Sequence, residues 1–182
     1  MKKMTEQNLI NAYGGESQAH IRYLRFADQA ERDHYPNIAR LFRAIAHAEW
    51  VHAGDHFHEL RHLEGGFTAS SMAVFGPGTT RKNLRLAVMG EDYEITEMYP
   101  AYIAVAKFQG EPDAQRSFEW SVGSEFKHKQ LFQKALEAVE ASHDLQLGPL
   151  WVCRVCGYTV EGDQPDSCSL CNALKDQFVS FV

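Results

Sequence analysis

Two stretches of this chain, Glu49-Trp50-Val51-His52 and its echo Glu125-Phe126-Lys127-His128, each set an imidazole three residues after a carboxylate. On an α-helix, positions i and i+3 share a face, so the two groups of each pair reach one point in space. One such pair is a weak signal, because an acid and a histidine often share a solvated face. Two pairs, each on a long amphipathic stretch that follows another stretch with an inward-facing Glu, restrict the fold much further. They call for four helices whose inner faces converge on one polar spot.

The periodicity supplies those helices. Leu9, Ala12, Tyr13, Glu16, Ala19, Tyr23 and Phe26 recur at three- and four-residue steps, which predicts a first helix from a Thr5 cap to about Arg32. Glu16 falls inside this apolar stripe, where a charge is costly unless paired or metal-bound. A second helix is expected from Asn37 to Leu63, ended by Gly65-Gly66, with Glu49 and His52 continuing its apolar face. Residues 65–79 then read as one long crossover, which is ferritin-like connectivity. A third helix starts near Thr80, with Pro100 expected to kink it or open a wide turn, and a fourth runs from after Pro112 to about Ala141.

The third and fourth helices repeat the first and second. Thr5-x-x-Asn8-Leu9 reappears as Thr80-x-x-Asn83-Leu84, and a Gly-Glu pair follows each Leu, ending in Glu16 or Glu91. The offset is 75 residues from Glu16 to Glu91 and 76 from Glu49 to Glu125. One feature breaks the repeat: Glu94 lies three residues after Glu91, where the first helix has Ala19.

All four cysteines lie in the last 30 residues, as Cys153-x-x-Cys156 and Cys168-x-x-Cys171. With no apolar segment behind Lys2-Lys3 to make an export signal, the cysteines point to metal or redox chemistry in the cytoplasm rather than to disulfides. Two such knuckles offer a tetrahedron of thiolates suited to iron or zinc. A tail this short needs such a staple, since it cannot hold itself together by apolar burial alone. The expected division is a bundle over residues 1–148 and a small metal domain over 149–182. A net charge of −6 with no basic run argues against nucleic acid, and no window approaches the about 20 apolar residues that cross a bilayer.

Glu16, Glu49, His52, Glu91, Glu94, Glu125 and His128 make the donor inventory of a di-iron carboxylate bundle. Five carboxylates and two imidazoles at one buried spot need the positive charge of two metal ions. With Gly15-Glu16-Ser17, Glu49-x-x-His52-Ala53, Gly90-Glu91-x-x-Glu94, Thr96-Glu97-Met98-Tyr99-Pro100, Glu125-x-x-His128 and Cys156-Gly157-Tyr158, the chain resembles the rubrerythrin family over essentially its whole length.

That resemblance implies a mainly α fold, a ferritin-like four-helix bundle followed by a rubredoxin-like domain. It implies two irons in the bundle and one on Cys153, Cys156, Cys168 and Cys171, with zinc able to substitute in either centre. Glu49 and Glu125 would bridge the pair, Glu16 would hold one iron, and Glu91 and His128 the other. Glu94 and His52 would exchange on the first iron, and Tyr23 and Tyr99 would support the ligand acids. The implied reaction is reduction of hydrogen peroxide to water in oxidative-stress defence, with Glu94 as proton donor. Electrons would come through the tail from rubredoxin or an NAD(P)H-dependent reductase, since the chain has no dinucleotide fingerprint of its own. The implied assembly is a homodimer in which one subunit's tail serves the other's bundle; the alternative function is a ferroxidase. Two departures from the family stand out. Ser169 and Asn172 replace the usual Pro and Gly of the second knuckle, Asn being tolerant of the left-handed conformation. His47, His56, His58 and His62 are additional, and a solvated or hydrogen-bonded helix face is expected for them, with His56 within reach of the site's edge.

Overall fold

The first apolar stripe becomes α1 (Lys3–Arg32) in the computed structural model, which describes residues 1–182. The helix starts two residues before the expected cap. Thr5 is buried and instead gives its hydroxyl and N–H to Gln109 Oε1, at 2.7 and 3.0 Å. The second helix, α2, spans Pro36–Glu59, and its free N-terminal amides are capped from a distance: Asn37 and Ile38 donate to Asp144 at 2.9 and 3.3 Å. It ends before the expected Leu63 because Leu60 and Arg61 bond back by only three residues, tightening the last turn into a stop.

The crossover then runs back along α1, where Gln7 donates to the Thr68 carbonyl at 3.1 Å and the Ser70 amide donates to Asn11 at 2.9 Å. Gly14 and Gly15 permit this approach, since a Cβ at either would lie 2.8 Å from Ala69 Cβ or 2.7 Å from Ser71 Oγ. The third helix, α3 (Thr80–Tyr93), is tied to the end of α1 by Thr80, which donates through N–H and hydroxyl to Asp33 at 2.8 and 2.7 Å.

Of the two outcomes expected at Pro100, a kink or a wide turn near the acids, the structure shows a wide turn. Residues Glu94–Met98 form a π-turn in which the Tyr99 amide donates to the Glu94 carbonyl five residues back, and α4 (Tyr99–Gln109) continues with Pro100 in its first turn. A π-turn inserts one residue into a helix, and such insertions are often found at functional sites. Here it also accounts for the repeat offset. Tyr23 follows Glu16 by seven residues and Tyr99 follows Glu91 by eight, so the extra residue lies in the interval that holds the π-turn. Gly110, at φ 71, ends α4, and α5 (Pro112–Glu140) completes the bundle.

Two apolar clusters flank the polar centre. One contains Tyr23, Phe26, Phe42 and Phe132; the other contains Leu9, Tyr99, Ala114 and Phe118. No helix is long and apolar enough to cross a membrane. The tail is a three-stranded antiparallel sheet of β1 (Leu150–Cys153), β2 (Thr159–Glu161) and β3 (Phe178–Phe181), in the order β2-β1-β3. Arg40 of α2 fixes it to the bundle by donating to the carbonyls of Leu147, Gly148 and Phe181 at 2.8, 2.8 and 3.0 Å. The fold is thus a ferritin-like bundle carrying a small four-cysteine domain.

Deleting Thr96 should close the π-turn and rotate Tyr99 by about 100° relative to the centre. Loss of its buried hydrogen bond to Glu16 then costs at least about 2 kcal/mol, read as a lower Tm of the full chain. An unchanged Tm would show that the inserted residue does not position Tyr99.

Candidate metal centre

Glu16 from α1, Glu49 and His52 from α2, and Glu125 from α5 bring one ligand atom each to within 4.8 Å of one another. Glu49, Glu91 from α3, Glu125 and His128 from α5 form a second such set. Glu49 and Glu125 belong to both, the geometry of two neighbouring positions sharing two carboxylates. Both histidines turn Nδ1 inward. His52 Nδ1 lies 3.0 Å from Glu49 Oε2 and 2.8 Å from Glu125 Oε1. His128 Nδ1 lies 2.7 Å from Glu125 Oε2 and 3.5 Å from Glu49 Oε1.

The outward nitrogen of His128 is held by hydroxyls. Thr159 Oγ1 donates to the Gly157 carbonyl, so at 3.1 Å it accepts from His128 Nε2–H, leaving Nδ1 free as a ligand. The buried atoms Glu16 Oε2 and Glu91 Oε2 have no hydrogen-bonding partner, and Glu49 Oε1 is met only by His128 Nδ1 at 3.5 Å. Orphaned buried carboxylate oxygens are costly, and their convergence with two imidazoles suits hard or borderline divalent metals such as iron. The donor set fits two such ions.

Glu94 is buried at 7% exposure but belongs to neither donor set. Of the two residues expected to exchange, His52 is turned into the first donor set and Glu94 stays outside it. Tyr23 donates to Glu91 Oε1 and Tyr99 donates to Glu16 Oε1, one tyrosine from each half of the repeat.

In the tail, Cys153, Cys156, Cys168 and Cys171 gather their sulfurs within 4.8 Å of one another as free thiols. The knuckles are built alike: the Gly157 amide donates to the Cys153 carbonyl and the Asn172 amide to the Cys168 carbonyl, each at 2.9 Å. Asn172 has φ 62, so it adopts the left-handed conformation expected of the residue in the usual Gly position. Gly157 has no freedom to be replaced. Its φ is 75, and a Cβ there would run into the His52 ring and lie 3.2 Å from the Ala48 carbonyl oxygen. The first knuckle therefore rests directly on His52 of its own chain, whereas the resemblance implies service to a second subunit.

Several participants lay outside the sequence expectations. Ser117, Ser121 and Ser124 are buried on the inner face of α5 at helical spacing ahead of His128, a stripe of small hydroxyls that the periodicity alone could have flagged. Of the alternatives expected for His56, a solvated or a hydrogen-bonded face, the structure shows the second, fully buried and at the site's edge. The imidazole bonds Ser117 Oγ through Nδ1 at 2.8 Å and Tyr99 Oη through Nε2 at 3.0 Å. His58 and His62 are exposed, as expected, and His47 is half-buried against Trp50.

The profile of the Rubrerythrin family matches residues 7–136, and that of the rubrerythrin rubredoxin-like domain matches residues 151–179. Rubrerythrin-2 of Clostridium acetobutylicum is 40% identical over 178 residues, covering 98% of this chain and 97% of the relative. Nigerythrin of Nitratidesulfovibrio vulgaris is 32% identical, covering 97% of this chain and 86% of its own. A structure of fully reduced, all-ferrous nigerythrin superposes with a TM-score of 0.85 at 32% identity, over 97% of this chain and 86% of that one.

Burial raises Glu16, Glu91 and Glu94 well above the ordinary carboxylate range, and the neighbouring carboxylates raise them further. Burial also opposes ionisation of Glu49 and Glu125, but the imidazoles of His52 and His128 prevail and hold both below that range. Burial disfavours the charged form of His128, yet Glu125 and Glu49 outweigh it and raise the imidazole from 6.5 to about 9. A group raised on folding contributes stability that is present below its unfolded value and lost as pH rises through its folded one. Without metal, the chain should therefore lose stability from pH 6.5 to 9, by roughly 3 kcal/mol from His128 alone. Zinc loading should reverse the trend, because metal binding requires the deprotonated ligands. Thermal melts of both forms at the two pH values test this; a metal-free Tm that rises with pH would contradict it.

Proposed function

The chain belongs to the rubrerythrin family, and from that premise we propose that it is a non-haem peroxidase reducing hydrogen peroxide to water. The observation that carries this reading is Glu94: a buried acid beside the donor sets but outside both, with no counterpart in the other half of the repeat. A pair of metal ions merely stored or held for structure has no use for such a group. A peroxidase needs one, because breaking the O–O bond to give two waters consumes two protons with two electrons.

Glu49 and Glu125 would bridge two irons, Glu16 and His52 would complete one position, and Glu91 and His128 the other. When bound, the iron pair supplies one electron from each ion to the peroxide bond. The remaining work belongs to the chain. Burial keeps Glu94 in its neutral form, so its carboxyl holds a proton where the departing oxygen needs one. Tyr23 and Tyr99 fix the orientations of Glu91 and Glu16 through their hydroxyls. The two apolar clusters exclude bulk water.

The four cysteines would hold a third iron that returns electrons singly, and either centre can accept zinc in place of iron. Contact between Gly157 and His52 supports transfer within one chain. The donor to the tail would be rubredoxin or an NAD(P)H-fed reductase. Exposed Ile21, Trp50 and Phe57 on the outer α1–α2 surface support a homodimer. Four free thiols support a reducing compartment such as the cytoplasm. The division into residues 1–148 and 149–182 is retained as two metal-binding units.

Stopped-flow mixing of the fully reduced protein with peroxide and, separately, with oxygen tests the reading. Peroxide should reoxidise the bundle at least about 100-fold faster; equal rates would favour a ferroxidase. Glu94→Ala should slow the peroxide phase by about 10² to 10⁴ while leaving the tail's visible absorption intact. An unchanged rate would remove Glu94 from the reaction.

A further inference from the structure

The two halves of the repeat treat their tyrosines differently. Tyr23 bonds Glu91 and has the edge of Phe132 packed against it, with ring centroids 5.1 Å apart. Tyr99 bonds Glu16, and the residue that matches Phe132 across the 76-residue offset is His56. The change extends outward. Leu41 and Ile45, in the core cluster of Phe132, correspond to Ser117 and Ser121, which line His56. Three apolar members of the core cluster that holds Tyr23 are thus matched by a hydrogen-bonded His56, Ser117 and Ser121 on the Tyr99 side.

Hydrogen counting gives this arrangement a direction. With Glu16 ionised as a metal ligand, the single Tyr99 hydroxyl hydrogen is donated to it. His56 Nε2, 3.0 Å from Tyr99 Oη, must then be the protonated nitrogen and donate to the phenol oxygen. His56 Nδ1 is left as an acceptor for the Ser117 hydroxyl at 2.8 Å. Burial, reinforced by the nearby charge of His52, pushes the His56 imidazole down to about 3, which keeps it neutral as this pattern requires.

We propose that His56 is a positioning residue that acts through Tyr99: by donating to the phenol oxygen it orients and strengthens the hydrogen bond from Tyr99 to Glu16. Buried hydrogen bonds in series polarise one another. A stronger bond from Tyr99 withdraws charge from Glu16, making it a weaker donor to the metal it faces and raising that metal's reduction potential. Glu91, whose tyrosine is backed by Phe132, receives no such help. The chain would thereby make the two metal positions unequal, with the adjusted position being the one that also carries His52 and neighbours Glu94.

This inference rests on the assignment of Glu16 as a metal ligand but not on the peroxidase reaction, so the test uses no peroxide. In the zinc-loaded full chain, ¹⁵N spectra of labelled histidine should show His56 as the Nε2–H tautomer; the Nδ1–H tautomer would overturn the proposal. In the iron-loaded chain, His56→Phe, which copies the Tyr23 side, should lower the reduction potential of the bundle iron. His56→Gln, which can still donate to Tyr99 and accept from Ser117, should restore it. In a Tyr99→Phe background, His56→Phe should shift the potential no further. An equal shift in both backgrounds, or failure of Gln to rescue, would reduce His56 to a packing role. If His56→Phe does not fold, the tautomer measured in the unaltered chain and the potential of His56→Gln still decide the matter.

Discussion

Five carboxylates held together out of water set the terms for the rest of this structure. Glu16, Glu49, Glu91, Glu94 and Glu125 are all buried, with the imidazoles of His52 and His128 and the Arg22 guanidinium near Glu94 as compensating charge. Desolvation and mutual repulsion force some of the acids to stay protonated until metal arrives. Apolar clusters on either side supply the packing that keeps so unfavourable a centre closed. Tyrosines at matching positions then anchor Glu91 and Glu16.

Much of this arrangement was legible in the sequence because it is repetitive. Glu-x-x-His recurs at a fixed offset, and inward-facing acids interrupt otherwise apolar stripes, so the bundle and its donors could be read without coordinates. The irregular parts were harder. Pro100 signalled a disturbance in the third helix, but only the backbone shows that a π-turn absorbs it. The step from 75 to 76 in the repeat offset is the sequence trace of that same inserted residue. His56 was read as part of a solvated or hydrogen-bonded face because it follows His52 among other histidines on one helix. Its burial depends on α5 presenting Ser117 and Ser121 to it, a relation between distant segments that periodicity in α2 does not reveal.

Placement of the tail was the largest gap. A linker from His143 to Pro149 gives no distance by its sequence, whereas the structure pins it through Arg40 and Asp144 to α2. The knuckle then needs glycine at position 157 for two separate reasons, a left-handed backbone and the proximity of the His52 ring. Thr159 meets His128 in the same way. Each imidazole of the bundle centre is therefore touched by the four-cysteine domain. Repeated halves define where the metals belong, and departures from the repeat at Glu94, His56 and the tail contacts make the two positions inequivalent.

The central claim is that the shared Glu49 and Glu125 create two adjacent metal positions in the bundle, separate from the four-sulfur site. Mössbauer spectroscopy of the full chain reconstituted with ⁵⁷Fe tests it most directly. Two exchange-coupled irons with oxygen and nitrogen ligands, for every one tetrahedral sulfur-ligated iron, are predicted. A single uncoupled iron in the bundle at saturation would contradict the account.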